Sequence, residues 1–374
     1  MNYFILLTDE CNLCCTYCRG KMFFMSDESP DKVTIDDTLP CDFGLSLKHL
    51  YSFLSKDKDA VLTFYGGEPL MRSDLIREIM DNAPVKDFAI QTNATLLYLL
   101  ESDYLNKFKS IFASIDGDRE TTDNCRGFGT YDKVIKNLKK IINNGYGNEI
   151  IARMTVTEKT DIYESVRYLS DNPDFSFDSI HWQMDSNFWS DFKLRENFCG
   201  WVKNSYNPGI RRLVDLWTDT MKKEGRVMRW YPFVGTMQDV LLKNGSSPLR
   251  CGCGVNSYSI LQDGNLAPCP CMAGMRDYYC GHINSDTPQS LKKIEIAGDC
   301  INCDILNFCG GRCLYSNLTQ PWPPEGRRAV YETVRNLKFA IEKNSVFVKE
   351  MIDEGIVSLN QFEHQKYNGC EIIP

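Results

Sequence analysis

Six short apolar runs alternate with longer amphipathic ones between Tyr3 and Met184. That rhythm constrains the fold more than any other feature of the chain. The expected strands are Tyr3 to Leu7, Ala60 to Tyr65, Phe88 to Thr92, Ile111 to Ile115, Ile150 to Val156 and Ile180 to Met184. Helical spacing covers Leu45 to Leu54, Asp74 to Met80, Leu96 to Phe108, Tyr131 to Ile142 and Ile162 to Leu169. The Tyr131 helix stops at Asn143-Asn144-Gly145, residues suited to a C-terminal cap. Such repeats predict a parallel sheet with right-handed crossovers. They are too few to close an eight-stranded barrel. The expected fold class is α/β, an open, partial (β/α)6 TIM-like barrel, with its chemistry at the C-terminal ends of the strands.

The polar residues obey that rule. The first strand runs into Cys11-Asn12-Leu13-Cys14-Cys15-Thr16-Tyr17-Cys18, and the second into Gly66-Gly67-Glu68-Pro69. The third ends in Gln91-Thr92-Asn93 and the fourth in Ser114-Ile115-Asp116-Gly117. Cys11, Cys15 and Cys18 have the spacing C-x3-C-x2-C. Three thiolates that close in sequence can cap three irons of one 4Fe–4S cube and leave the fourth iron without a protein ligand. An open metal position lets a site bind substrate and do chemistry. Adjacent Cys14 and Cys15 cannot easily face one cluster, which argues against a closed site built on Cys14.

Cysteine usage supports metal ligation over disulfides. Seventeen cysteines fall mainly into two groups, four from Cys11 to Cys18 and ten from Cys251 to Cys370, with Cys41, Cys125 and Cys199 between. Met1 to Leu7 is apolar but lacks a basic start and a small-residue cleavage site, so no export signal is expected. The expected setting is an oxygen-poor cytoplasm, where such clusters read as iron–sulfur or metal ligands. No run reaches membrane-spanning length, and none is expected. A net charge of −8 and a pI of about 5.2 argue against nucleic acid as a main partner. At 374 residues, 43% hydrophobic and 25% charged, the chain can form two domains, or one large domain with an appendage. The expected division is 1–187 for the barrel, 188–248 for an aromatic and basic bridge with a helix near Ile210 to Lys222, and 249–374 for a cysteine-rich domain. That last part carries a helix from Arg327 to Glu354, whose stripe of Val330, Val334, Leu337 and Ile341 reads as simple packing.

With Tyr17 before its third cysteine, the first cluster resembles the radical S-adenosylmethionine (SAM) superfamily. The second group strengthens the resemblance. Cys300-x2-Cys303-x5-Cys309-x3-Cys313, preceded by Cys251 and by Gly264-x4-Cys269, is similar to the SPASM-type domain of a subset of that superfamily. A zinc ribbon would account for Cys300, Cys303, Cys309 and Cys313 alone. It would leave Cys251, Cys269 and Cys271 unexplained.

The resemblance implies a set of roles. Cys11, Cys15 and Cys18 would hold the SAM-binding cube. Gly66, Gly67 and Glu68 would hold the SAM amino group. Thr92, Asn93, Ser114 and Asp116 would meet its ribose or amino-acid moiety, although residues of these types also cap helices. Arg126 or Arg153 would pair with its carboxylate, since a buried arginine needs an anionic partner, and Gln183 would be a further contact. Cys251, Cys269 and Cys313 would bind a nearer auxiliary cluster, and Cys300, Cys303 and Cys309 a farther one, both 4Fe–4S. Cys253, Cys271, Cys280 and Cys370 compete for the remaining positions, or an iron stays open for a substrate thiolate. Cys370, the only cysteine downstream of Cys313, is the expected fourth ligand of the farther cluster.

The implied mechanism is oxidoreductase-type. SAM chelated at the open iron is cleaved reductively to methionine and a 5′-deoxyadenosyl radical, which abstracts hydrogen from an unreactive C–H bond. The implied substrate is the side chain of a ribosomally made precursor peptide or protein. The product would be a thioether, a carbon–carbon crosslink or a related oxidised side chain. The implied electron donor is ferredoxin or flavodoxin. Because the chain opens on the barrel, recognition is expected from the barrel mouth, the 20–45 connection, the 188–248 bridge or a separate protein. An anaerobic sulfatase maturase making formylglycine is the rival enzyme. It typically carries an acidic residue after the cysteine of Gly-x4-Cys, where this chain has Pro270. A multi-cluster electron-transfer or scaffold protein is the rival of another class, opposed by Gly66-Gly67-Glu68 in register.

Overall fold

The computed structural model describes residues 1–18, 33–188, 192–243, 249–366 and 373–374. The first half of the 20–45 connection and Cys370 lie outside the described residues. One nine-stranded sheet runs in the order β6-β5-β4-β3-β2-β1-β7-β8-β9. Its strands are β1 Asn2–Leu6, β2 Val61–Tyr65, β3 Asp87–Thr92, β4 Phe108–Ser114, β5 Glu149–Val156, β6 Ser179–Met184, β7 Ser257–Ile260, β8 Asn265–Ala267 and β9 Gly281–His282. Strands β1 to β6 pair in parallel in chain order. β7 adds in parallel to the free side of β1, with Tyr3 opposite Tyr258, and β8 and β9 follow antiparallel. The sheet therefore continues from the barrel into the cysteine-rich region without a break.

The strands alternate as a two-residue period requires. Tyr3, Ile5, Leu62, Phe64, Ile90, Ile111 and Ala152 are buried in the main core with the helices. Phe64 stacks on Phe88 and meets Phe108 edge-on, at ring separations of 5.8 and 6.1 Å, which ties β2, β3 and β4 together. The alternate residues turn inward. Ala89, Phe112 and Ile151 pack against Tyr231, and Phe4 and Leu6 pack with Leu261 and Ala267.

Helices Leu47–Leu54, Ser73–Asn82, Thr130–Asn143 and Ile162–Ser170 form where the apolar stripes predict them. The segment from Leu96 to Phe108 does not form one helix. It makes a 3-10 turn at Leu97–Leu99 and a single turn at Ser102–Leu105, because β4 already begins at Phe108 and buries that ring against Phe64. Two helices have no legible stripe. Arg119–Arg126 is polar and is started by Asp118, whose side chain accepts from Thr121 N at 2.8 Å. Tyr231–Leu242 is apolar on most sides at its start and mostly buried there. The 30-residue helix Pro324–Asp353 packs along Asn207–Glu224 and Tyr231–Leu242. Beyond it the Lys366 carbonyl accepts from Asn2 Nδ2 at 3.4 Å, and Ile373 returns to the core. Among the described residues no helix is long and apolar enough to cross a membrane.

Candidate active site

The loop after β1 rests on the two glycines after β2. Gly67 N donates to the Thr8 carbonyl at 2.7 Å and Glu68 N to the Glu10 carbonyl at 2.8 Å. A β-carbon on Gly67 would run into the Glu10 carbonyl, and one on Gly66, whose φ is +151°, into that of Thr8. These glycines therefore admit the backbone of the cysteine loop, and both also line the cavity described below.

Glu68 and Asp116, two of the expected contact residues, stand behind the cavity wall rather than in it. Glu68 is fully buried. Its carboxylate accepts from Leu70 N at 3.1 Å, Thr92 Oγ1 at 2.7 Å and Asn93 N at 2.7 Å, so it locks the end of β2 to the end of β3. Burial outweighs these bonds and pushes its pKa up to about 7. Asn93 in turn reaches the cysteine loop, donating to Asn12 Oδ1 at 2.8 Å and to Cys11 Sγ at 3.8 Å.

Asp116 does the same work on the other side. It accepts two bonds from Arg126, both at 2.8 Å, one from Tyr17 Oη at 2.7 Å and one from Thr155 N at 2.9 Å. The Arg126 guanidinium lies over the Tyr17 ring at 5.4 Å and still lines the cavity. The aromatic residue between Cys15 and Cys18 thus moors the loop to β4 and to the helix that Arg126 ends. Burial pushes the Cys15 thiol up to about 11 while the charge of Arg126 pulls it down.

Arg153 on β5 donates to Gln183 Oε1 at 2.7 Å and contacts the ring of His181, its register partner on β6. His181 is fully buried and was not singled out from the sequence. Its signal was its place two residues before Gln183, on the same inward face. Ser114 sits opposite Arg153 in the β4–β5 register.

The hairpin of β7 and β8 turns at Gly264, with φ of +88°, and delivers Cys269 to the cavity. The Cys253 thiol lies between those of Cys251 and Cys269, and Cys271 bonds Cys269 on its other side. Cys313 lies within electrostatic reach of Cys251 and Cys269. Of the thiols left open by the sequence, Cys253 and Cys271 line the cavity, whereas Cys280 is buried with Sγ 3.5 Å from the Tyr278 carbonyl. Cys300, Cys303 and Cys309 form a separate group away from the cavity. Cys300 is bonded by the Tyr331 hydroxyl, and Cys303 faces Asp304 at 3.7 Å.

A cavity of about 310 Å³ lies between the two cysteine groups. Cys11, Cys15 and Cys18 line one side and Cys251, Cys253, Cys269, Cys271 and Cys313 the other, while Cys14 does not line it. Gln91, Thr92, Asn93, Ser114, Arg153 and Gln183 complete the barrel wall. Asp185, Phe188 and Pro270 also line it and were not anticipated as contacts. Asp185 is held by Arg195 at 2.9 Å. Among the described residues no three Cys, His, Asp or Glu side chains converge tightly enough for a single ion. A cube makes no such demand, because each of its thiolates binds a different iron.

No family model matches the chain. The radical SAM cyclopropyl synthase TigE of Paramaledivibacter caminithermalis is 22% identical over 339 residues, which is 83% of this chain and 67% of that one. An AdoMet-dependent heme synthase of Methanosarcina barkeri is 27% identical over 336 residues, 82% of this chain and 88% of that one. The anaerobic sulfatase maturase anSMEcpe, solved with bound AdoMet, superposes with a TM-score of 0.68 at 18% identity, over 93% of this chain and 99% of that one. This chain belongs to the radical SAM superfamily. SuiB of Streptococcus suis, bound to the precursor peptide SuiA, shares the radical SAM fold with a TM-score of 0.55 at 18% identity, over 87% of this chain and 74% of that one. The chain spans two thirds of TigE and about half or less of the GTP 3′,8-cyclases that it also matches. Its partial TIM barrel and C-terminal region match the fold of anSMEcpe and SuiB.

Proposed function

We propose that this radical SAM enzyme modifies the side chain of a ribosomally made peptide or protein, forming a thioether or carbon–carbon bond or a related oxidised product. The observation that carries the reading is one cavity walled by Cys11, Cys15 and Cys18 on one side and by Cys251, Cys269 and Cys313 on the other. The donor set fits a cube. Asn93 aims an N–H at Cys11, and Arg126 sets a buried cation beside Cys15; both favour thiolates. When bound, the cluster and SAM supply a carbon radical able to take hydrogen from an unreactive C–H bond.

The chain's own residues bind, orient and exclude water. Gly66 and Gly67 with Thr92, Asn93 and Ser114 form the wall against which SAM lies. Arg153, braced by Gln183, meets its carboxylate, and Glu68, Asp116 and Arg126 hold that wall in place. Phe4, Leu6 and Phe188 supply the dry part of the cavity where a side chain enters. Cys251, Cys269 and Cys313 hold the nearer auxiliary cluster, with Cys253 or Cys271 completing it, and Cys300, Cys303 and Cys309 hold the farther one. The division into 1–187, 188–248 and 249–374 is one of roles on a continuous sheet. Electrons come from a ferredoxin or flavodoxin in the cytoplasm.

A peptide substrate is supported by the solved complexes of two neighbours, SuiB with the precursor peptide SuiA and anSMEcpe with AdoMet and a Kp18Cys peptide. Formylglycine formation is a second reading, favoured by Asp185, a carboxylate on the cavity wall that stands in for the acidic residue missing at Pro270. The test is anaerobic reconstitution with iron and sulfide, reduction, and incubation with SAM and candidate peptides. Release of 5′-deoxyadenosine with loss of hydrogen from a peptide supports the proposal. Conversion of a cysteine or serine to an aldehyde favours the second reading, and no SAM cleavage refutes both.

A further inference from the structure

Arg312 is a buried arginine without an acidic partner among the described residues. It stands between Cys309 and Cys313, the last two cysteines of the C-x2-C-x5-C-x3-C run. Three consecutive residues there, Gly310, Gly311 and Arg312, have positive φ, at +67°, +90° and +55°. A side chain adopts that conformation at a cost, so the turn is held by its surroundings. It folds Arg312 inward, where the residue is only 8% exposed. Among the described residues no carboxylate pairs with it, and its buried Nε has no hydrogen-bond partner.

The other buried arginines behave differently. Arg126 is paired with Asp116, Arg195 with Glu158 and Asp185, and Arg250 with Asp239. An unpaired buried guanidinium is costly, and it cannot escape by losing its proton. Its charge acts on Cys309, which is grouped with Cys300 and Cys303, and on Cys313, which is grouped with Cys251 and Cys269. Thiolate-ligated clusters are anionic, so bound clusters at these two sets would supply the missing counter-charge from both sides.

We propose that Arg312 is the shared counter-cation of the two auxiliary cysteine sets, and that it raises the reduction potentials of the iron–sulfur clusters bound there. The inference rests on the reading of those sets as cluster sites. The step is a one-electron reduction: a cluster gains one electron from the external donor and one unit of negative charge, and no bond forms or breaks. A buried cation stabilises the reduced, more negative form more than the oxidised one. Arg312 is a positioning and tuning residue and touches no substrate.

The experiment uses the full chain, reconstituted anaerobically, with redox titration followed by electron paramagnetic resonance. Arg312→Gln should lower the ratio of reduced to oxidised auxiliary cluster about tenfold at a fixed potential, a downward shift of about 59 mV. Arg312→Lys should stay near the wild type, and the Cys11/Cys15/Cys18 cube should be unmoved in both. Full iron content with unshifted potentials in Arg312→Gln overturns the inference and leaves the cluster assignment standing. If Arg312→Gln loses iron, Arg312→Lys decides. Retained iron and potential support a role for the charge, and lost iron overturns it. A wild-type chain whose C-terminal cysteines hold zinc or nothing overturns the cluster assignment and the inference together.

Discussion

The barrel and the cysteine-rich region share one sheet but are ordered by different means. β1 to β6 are five to eight residues long, pair in register and bury continuous apolar faces. From 249 to 322 the strands are four, three and two residues long, joined by 3-10 turns and glycines of positive φ. In the barrel the buried Arg126 and Asp116 compensate each other. In the cysteine-rich region Arg312 has no such partner among the described residues. The barrel is specified by apolar period, whereas the second region is built from short strands, tight turns and clustered thiols.

The largest expected effect breaks the chemistry without touching the barrel. Cys11→Ala, Cys15→Ala and Cys18→Ala should each abolish 5′-deoxyadenosine release, measured by mass spectrometry, while Cys14→Ala should retain it and all four keep the wild-type circular dichroism. Activity in any of the first three would remove that residue from the ligand set. Next, stripping iron with a chelator should cost residues 249–322 at least about tenfold in hydrogen-exchange protection while β1 to β6 keep theirs. Equal loss in both regions would erase the contrast drawn above.

Arg126→Met should cost about 3–5 kcal/mol in urea unfolding, because it strands a buried carboxylate. Arg335→Ala, at the exposed pair with Asp304, should cost about 0–1 kcal/mol, the smallest effect in the series. Between them lies a pH effect at Glu68. Its folded pKa of about 7 stands above the ordinary 4.5, so the folded protein holds the extra proton across that window. Stability of the iron-free chain should therefore fall as pH rises from 4.5 to 7, by on the order of 3 kcal/mol. Glu68→Gln should flatten that slope, and an unchanged slope would assign it to other groups.

Much of the barrel was legible because its signals are local. The strand positions follow from short apolar runs, and the face chosen by Cys11, Cys15 and Cys18 over Cys14 follows from spacing alone. What stayed hidden depends on partners distant in sequence. Glu68 and Asp116 read as ligand contacts, but their hydrogen bonds run to Thr92, Asn93, Tyr17 and Arg126. The helix read from Leu96 to Phe108 yields to the demand of β4 for Phe108. The thiols competing beside Cys269 could not be ranked by spacing, because the Gly264 turn sets which of them reach the cavity.

The position of β1 bears on how the chain is made. It precedes every other described strand in the sequence, yet one of its two neighbours, β7, begins only at Ser257. Until then the growing barrel carries a parallel strand with one row of backbone groups unpaired and with Phe4 and Leu6 lacking Leu261 and Ala267. Such an edge invites pairing with another nascent chain. Closure waits on the pairing of Asn2 with Ser257, a contact between residues far apart in sequence, which makes it a slow, late step of folding. Released early at the bridge, the barrel would be complete in its helices and still sticky along β1.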